Sequence, residues 1–265
     1  MDIYKIIEPI GEKFPFILSI PHSGIKIPNY LLNNFNPEQL QLKDDTDWFL
    51  DQLYDFAPKL GITTIKASIS RWVVDLNRNP KNKPLYNDGR ILTSVCPKKN
   101  FLGQPIYKEG HVINTSEVSN RIKNYFNPYH EKINELIKKF KVDNSSVFIW
   151  DAHSIRRNVP TINKTSFPDL IIGNNDNKSC EEKITKLILN NLKKSKFDVQ
   201  INQPFKGGFI TRSKGLPNKN IHAVQLEMSK DLYMSYDERK YDIQKAETIK
   251  IVLEDTFIKI LNQLK

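Results

Sequence analysis

A run of large apolar residues that leads into polar ones places the strongest constraint on how this chain folds. The five residues Val147–Asp151 include Val, Phe, Ile and Trp and follow polar positions, which is typical of a buried strand. Asp151-Ala-His153-Ser154 ends the run. Because side chains at i and i+2 of a strand share a face, Asp151 and His153 should project together from its C-terminal end. Open α/β sheets bind ligands at that end.

A second stretch repeats this pattern near the start of the chain. An apolar run over residues 14–20 leads into Pro21-His22-Ser23-Gly24, where proline and glycine confine His22 to a tight loop. Two apolar strands that each end in a histidine followed by a serine indicate a site assembled at one edge of a sheet.

Hydrophobic periodicity assigns the other segments to alternating strands and helices. Strands are predicted at residues 14–20, 62–69, around 72–76, and at 147–151, 168–173, 199–201 and 222–229; helices are predicted from a Thr46 N-cap to about residue 57, from Asn114 to about residue 140, and over 181–195 and 237–264. This alternation favours an α/β fold with a mostly parallel, mixed sheet flanked by helices on both faces. We treat residues 1–265 as a single domain. Residues 79–116, rich in Pro, Asn, Lys and Gly, form a long excursion of the kind that often covers an active site.

Charge and cysteine content argue against a nucleic-acid-binding protein and a cysteine-based metal site. The 40 Lys and Arg residues against 30 Asp and Glu give a net charge of +10, mainly from scattered lysines. No nucleic-acid-binding motif accompanies this charge, so we expect a solvated surface that attracts small anions. No apolar run approaches the roughly 18 residues of a transmembrane helix, and Cys96 and Cys180 match no metal-binding spacing. We expect a reduced, soluble, cytoplasmic monomer or small homo-oligomer that binds neither membranes nor nucleic acid.

Three carboxylates have positions that suggest more than surface solvation. Asp47 and Asp51 lie four residues apart, hence on one face of the predicted helix and beside its apolar stripe. Compensation of the helix dipole is the alternative role for either of them. Glu227 lies in an otherwise apolar strand on the same face as Gln225, where a carboxylate is costly unless it is paired.

A dense polar set accompanies the strand predicted around 72–76. It consists of Arg71, Asp75, Asn77 and Arg78. Asp75 could hold either arginine in a structural ion pair, whereas the planar guanidinium also suits the carboxylate of a substrate.

Two further segments have roles that the residues alone leave open. The pair Gly207-Gly208, shortly before Arg212, indicates a close approach of the backbone to another group. His130 adjoins the apolar stripe of the helix predicted from Asn114, so it belongs either to the edge of the core or to the site.

The polar residues that converge on the predicted strand ends are of the types that a metal-dependent hydrolase uses. They are His22, Asp47 or Asp51, His153, Glu227, Arg71, Arg78 and Arg212. Two histidines and one carboxylate are the usual protein ligands of a catalytic Zn²⁺ with an open position for water, although they also suit Mn, Co or Fe. A further carboxylate such as Glu227 then takes a proton from the water and delivers it to a leaving amine. Asp151 could orient His153.

Seven segments, in this order along the chain, resemble those of one enzyme family. They are Ile20-Pro-His-Ser-Gly24, Asp47-Trp-Phe-Leu-Asp51-Gln-Leu, Arg71 with Val74-Asp-Leu-Asn-Arg78, Tyr125 with Pro128-Tyr-His130, Asp151-Ala-His-Ser154, Gly207-Gly-Phe-Ile-Thr-Arg212 and His222-Ala-Val-Gln-Leu-Glu-Met-Ser229. Together they cover most of the chain and resemble the N-formylglutamate amidohydrolase family. The resemblance implies a metal-dependent hydrolase whose fold is related to zinc carboxypeptidases. It also implies cleavage of N-formyl-L-glutamate to glutamate and formate at the end of a histidine-degradation route.

The same resemblance implies roles for individual residues. It points to His22, Asp47 and His153 as ligands of zinc or a similar metal. The catalytic residues would be Glu227, as general base and acid, and Asp151; the residues expected to bind a small anionic N-acyl amino acid are Arg71, Arg78, Arg212, Asn77, His130 and Gly208. One departure is the lysine-rich segment Asn79-Pro-Lys-Asn-Lys-Pro-Leu-Tyr86, where the family is expected to be more acidic. It leaves another N-acyl amino acid open as substrate.

Three other functions compete with this interpretation. Asp151-Ala-His153 also resembles part of the dimanganese site of arginase-like ureohydrolases, but Ile155 stands where a second aspartate would be needed. A binding protein that keeps the pocket without turnover would have little use for Glu227 beside the metal ligands. A nucleic-acid binder is suggested by net charge alone.

Overall fold

A seven-stranded mixed sheet organises the molecule. The computed structural model describes residues 2–42, 44–85 and 94–264. The strands are β1 (Tyr4–Ile7), β2 (Phe16–Ile20), β3 (Thr63–Ala67), β4 (Val147–Ile155), β5 (Leu170–Gly173), β6 (Val199–Ile201) and β7 (Ile221–Ser229), and their order across the sheet is β1-β3-β2-β4-β7-β5-β6. The central strands β3, β2, β4 and β7 are mutually parallel, β1 is antiparallel to β3, and β5 is antiparallel to β7 but parallel to β6. The predicted mostly parallel α/β sheet is confirmed; a relation to zinc carboxypeptidases stays a prediction.

Helices cover both faces of this sheet. They are α1 (Asn29–Leu32), α2 (Pro37–Leu42), α3 (Leu50–Leu53), α4 (Thr115–Arg121), α5 (Asn127–Asp143), α6 (Glu182–Leu192), α7 (Phe209–Lys214) and α8 (Ile243–Leu264), with a π-helical turn at Ile122–Phe126 between α4 and α5. Phe148 and Trp150 of β4 pack with α6 and α8, whereas Val147 and Ile149 pack with α5. The alternation along β4 therefore produces a separate apolar layer on each face of the sheet.

Two predicted elements are wrong. The helix predicted from Thr46 is only the single turn of α3, because Phe49 takes the left-handed conformation (φ 59°) and interrupts the helix before Leu50. Residues 72–76 form turns instead of a strand, with Val73 N–H donating to the Ser70 carbonyl.

The apolar residues of this turn segment explain why it resembles a strand. Trp72 and Val73 pack into one apolar cluster, and Val74 and Leu76 pack into another. The segment therefore passes between two cores, which gives it an apolar composition without strand pairing.

The excursion over 79–116 is irregular up to the start of α4 in its described parts, residues 79–85 and 94–114, as expected. The rest of that prediction, residues 86–93, lies outside the described residues. Within the described ranges, no helix is both long and apolar enough to cross a membrane.

Candidate metal-binding active site

The parallel strands bring the predicted ligands to one edge of the sheet. His22 lies two residues after the end of β2, and His153 lies near the end of β4, where it is the register partner of Glu227 on β7. Asp47 comes from the loop before α3, and its backbone N–H donates to the His22 carbonyl over 3.0 Å. One ligand atom from each of His22, Asp47 and His153 lies within 4.8 Å of the other two, and all three residues are buried.

The structure separates the two aspartates that local spacing left equivalent. Oδ2 of Asp47 lies 3.2 Å from Nδ1 of His153 and 3.7 Å from Nδ1 of His22. Asp51 instead forms an ion pair with Lys66 of β3. Asp47 is therefore the carboxylate of the cluster.

Two further carboxylates hold the opposite ring nitrogens of the histidines. Nε2 of His22 lies 2.7 Å from Oδ1 of Asp75, and Nε2 of His153 lies 3.2 Å from Oδ2 of Asp151. Metal-bound histidines commonly donate their second N–H to a carboxylate, which leaves the other nitrogen free to coordinate. Nδ2 of Asn77 also lies 2.8 Å from Nε2 of His153, and the orientation of His153 by Asp151 stays a prediction.

The residues present fit a divalent cation. Nδ1 of His22 is buried and has no hydrogen-bond partner among the described residues, although it faces Asp47. A buried acceptor beside a carboxylate and a second imidazole nitrogen is the donor set that Zn²⁺ and similar metals prefer. We therefore identify His22, Asp47 and His153 as a candidate divalent-metal site.

The buried carboxylates in and around this cluster have pKa values shifted in opposite directions. Burial would raise the pKa of Asp47, but hydrogen bonds and charge from His153 and His22 outweigh it and hold that pKa well below its usual range. Burial would also raise the pKa of Asp75, but Arg71, His22 and Arg78 hold it low. The pKa of Glu227 is raised to about 7, chiefly because burial disfavours its charged form.

Asp75 has a second role that the sequence suggested only in part. Its Oδ2 accepts from Nη2 of Arg71 over 2.6 Å and lies 3.5 Å from Nε of Arg78. Because its Oδ1 also contacts His22, Asp75 connects the two arginines to the candidate metal ligands. The expected ion pair is present, but the sequence carried no signal for the contact to His22, whose position lies 53 residues away.

A cavity of about 470 Å³ opens above the His22, Asp47 and His153 side chains. Its wall includes His22, Asp47, Arg71, Asn77, Arg78, His153, Gly208, Gln225 and Glu227, together with residues from 79–85 and 94–103. The described parts of the irregular excursion thus form one side of the cavity. Its volume lies in the range usual for small-molecule sites.

Arg71 is held rigidly at the cavity wall. Besides its bond to Asp75, its guanidinium lies 4.6 Å from the ring centroid of Phe101 and 3.5 Å from the Asp45 carbonyl. Asp45 in turn accepts from the indole N–H of Trp72 and the backbone N–H of Phe101. These contacts give the guanidinium one orientation at the cavity wall.

Asn77 and Gly208 are parts of the internal scaffold as well as of the wall. Nδ2 of Asn77 donates to Oδ2 of Asp151 over 3.1 Å, and its Oδ1 accepts from the N–H of Ile210 in the first turn of α7. A Cβ at position 208 would clash with the Asn77 amide, which explains the glycine there. The Gly208 N–H donates to Oε1 of Gln225.

His130 and Arg212 are not among the described residues that line the cavity. The His130 ring packs against Phe126 and donates from Nε2 to the Leu76 carbonyl. Arg212 donates to the carbonyl of Gly207 and to that of Leu85, which lines the cavity. A direct contact of either side chain with a substrate stays a prediction.

Comparisons with known proteins find relatives that match most of this chain. A sequence profile of the N-formylglutamate amidohydrolase family matches residues 14–234. An N-formylglutamate deformylase of Pseudomonas aeruginosa is 34% identical over 253 residues, covering 94% of this chain and 93% of that protein. One of Pseudomonas putida is 33% identical over 235 residues, covering 88% and 87%.

Solved structures agree in fold. The crystal structure of an N-formylglutamate amidohydrolase from Ralstonia eutropha superposes with a TM-score of 0.84 at 22% identity, covering 100% of this chain and 98% of that one. A protein from Agrobacterium tumefaciens superposes with a TM-score of 0.74 at 17% identity, covering 98% and 96%. Since the profile spans most of the chain and both deformylases exceed 30% identity over nearly its whole length, the chain belongs to the N-formylglutamate amidohydrolase family.

Proposed function

We propose that this protein hydrolyses the formamide bond of N-formyl-L-glutamate to L-glutamate and formate, at the end of a histidine-degradation route. The observation that carries the proposal is the cluster of His22, Asp47 and His153 at the base of a cavity whose wall also holds Glu227 and arginines. The two deformylase relatives support the choice of substrate.

In this proposal His22, Asp47 and His153 hold a divalent metal, for which zinc is our choice. A metal of this kind, when bound, supplies Lewis acidity toward the amide carbonyl and acidifies water. The two outer carboxylates, Asp75 and Asp151, orient the imidazoles through their Nε2 atoms.

Glu227 is the proposed general base and acid. It lines the cavity, and its pKa of about 7 allows the carboxylate both to accept and to return a proton near neutral pH. A Glu227 oxygen takes a proton from the attacking water and then delivers it to the nitrogen of the departing glutamate.

Arg71 and Arg78 are the proposed partners of the substrate carboxylates. Both line the cavity, and a dianionic substrate needs cations whose planar geometry matches a carboxylate. We propose that His130 supports the fold, since its ring packs against Phe126 and its Nε2 donates to the Leu76 carbonyl. Arg212 is proposed to support the cavity wall through its hydrogen bond to the Leu85 carbonyl.

Another N-acyl amino acid is the second candidate substrate. Asn79, Asn82 and Lys83 of the lysine-rich segment line the cavity, where they would contact the part of the substrate that distinguishes one N-acyl amino acid from another. We also propose a cytoplasmic location, since Cys96 and Cys180 are both free and buried, as is usual for thiols in a reducing compartment.

The test is hydrolysis of N-formyl-L-glutamate by purified protein, with glutamate release followed before and after treatment with a chelator. We expect release that stops on chelation and returns when Zn²⁺ is restored. Absence of release from protein that elemental analysis shows to hold about one metal per chain would reject this substrate in favour of other N-acyl amino acids. Release that resists complete metal removal would reject the metallohydrolase mechanism.

A further inference from the structure

The Gln225 side chain connects the paired glycines before α7 to the carboxylate of Glu227. Gln225 and Glu227 are two positions apart on β7, so their side chains share a face, and both line the cavity. Oε1 of Gln225 accepts from the Gly208 N–H over 2.7 Å, and its Nε2 donates to Oε2 of Glu227 over 2.9 Å.

The orientation of this amide is determined by its partners. The Gly208 N–H can only donate, so the Gln225 atom that faces it must be the oxygen. Nδ2 of Asn77, also a donor, lies 3.5 Å from the same oxygen. The amide nitrogen must therefore face Glu227, whose carboxylate accepts its hydrogen.

We propose that Gln225 is a positioning residue that holds the Glu227 carboxylate in its reactive orientation. The inference rests on the function proposed above. Gln225 donates a hydrogen bond to Oε2 of Glu227. Among the described residues no hydrogen bond reaches Oε1 of Glu227, so this oxygen can accept a proton from a water in the cavity. An amide suits this task because it donates a hydrogen bond without the full charge that would lower the basicity of the carboxylate.

The glycine pair sets the position of the amide. Gly208 lies against the Asn77 amide, so close that a Cβ there would clash. Asn77 is itself bonded to Asp151, the partner of His153. The backbone at Gly208 therefore helps to position both Glu227, through Gln225, and His153, through Asn77 and Asp151.

The central test replaces Gln225 with methionine, which has a similar length and neither donates nor accepts strongly. We expect the kcat of Gln225→Met to fall by about 10- to 100-fold, because a displaced catalytic group loses rate steeply. KM should stay within about twofold and metal content should be unchanged, since Gln225 contacts no candidate ligand of the metal.

A double variant identifies the route of the effect. If Gln225 acts through Glu227, adding Gln225→Met to Glu227→Gln should change the residual kcat by less than about threefold. An equal fall in both backgrounds, or no fall in the single variant, would overturn the proposal. Full activity of Glu227→Gln alone would instead remove Glu227 as the base, which is a failure of the proposed function and is recognised by that variant.

A second substitution keeps the test decisive if the methionine variant does not fold. Gln225→Glu retains an acceptor for the Gly208 N–H but places a carboxylate oxygen beside Glu227. We expect its pH–kcat profile to move to higher pH, because two adjacent carboxylates favour the protonated form of one of them. An unmoved profile contradicts the proposal. Asn191→Leu is the matched control: it deletes a buried amide whose bond to Thr256 lies between α6 and α8, and it should lower Tm without changing kcat.

Discussion

Two buried histidines, His153 and His130, occupy regions of opposite chemistry. Both are almost fully buried, with 3% and 6% of their surface exposed. Burial alone would lower the pKa of His153, but Asp151 and Asp47 outweigh it and raise that pKa well above the ordinary value. His130 lies against aromatic rings, where burial lowers its pKa to about 3. The surroundings of His153 favour a positive charge on the ring, whereas those of His130 disfavour protonation of its ring.

An unbonded ring nitrogen does not by itself mark a metal site. Nδ1 of His130 lacks a hydrogen-bond partner among the described residues, and so does Nδ1 of His22. Only the His22 nitrogen faces a carboxylate and a second imidazole. The decisive difference is the presence of Asp47, which supplies negative charge where a cation would bind.

The largest effect is expected from deleting a candidate ligand. His153→Ala should lose the bound metal and reduce turnover to background, because two ligands remain where three are needed. Elemental analysis after loading with Zn²⁺ and exhaustive dialysis measures the first effect. Retention of about one metal per chain would mean that His153 is not a metal ligand and does not differ from His130 in this respect.

A smaller loss is expected from Asp75→Asn, which keeps the shape of the side chain but removes its charge. Asp75 bonds both His22 and Arg71, so we expect metal affinity to fall by about 10- to 100-fold. The KM should also rise as the arginines loosen. Competition with a metal-sensitive dye gives the affinity. Asp51→Asn is the control, because the partner of Asp51 is Lys66, and equal weakening in both variants would contradict the assignment.

Much of the candidate site was predictable because the C-terminal ends of parallel strands lie at one edge of the sheet. β4 and β7 run in register with His153 opposite Glu227, so residues at the ends of separate apolar runs meet in space. The strand ends therefore indicated His22, His153 and Glu227 without knowledge of the connections between them.

What could not be predicted depends on contacts distant in sequence. The choice of Asp47 over Asp51 is made by the left-handed Phe49, which ends the expected helix, and by Lys66 on a neighbouring strand. The placement of His130 follows from its bond to the Leu76 carbonyl, within a segment that had the pattern of a strand and folds as turns. Periodicity reports which residues are buried, but not which partner each polar atom finds.

His130→Phe tests whether this histidine supports the fold or binds substrate. Phenylalanine fills the ring space but leaves the Leu76 carbonyl without its donor, so we expect the free energy of unfolding to fall by about 1–3 kcal/mol. Metal content and KM should stay close to those of the wild type. Urea denaturation and steady-state kinetics measure the two effects. A large rise in KM with unchanged stability would return His130 to the substrate site.

The last effect is confined to alkaline pH and concerns Lys214, which donates to the His130 carbonyl and to Asn134 and forms no ion pair among the described residues. Burial lowers the pKa of Lys214 from 10.5 to about 8. Between these values the unfolded chain keeps a proton that the folded protein has released, so stability should rise with pH over this interval. The slope contributed by one group is at most about 1.4 kcal/mol per pH unit.

Lys214→Met isolates that contribution. The difference in unfolding free energy between wild type and variant, measured by urea denaturation from pH 7.5 to 10, should shift in favour of the wild type as pH rises. Burial around His130 and Lys214 would then be confirmed to disfavour positive charge on both side chains. If the difference in unfolding free energy does not change with pH, Lys214 has the same pKa in the folded and unfolded chains. The contrast in pKa would then hold only between His153 and His130.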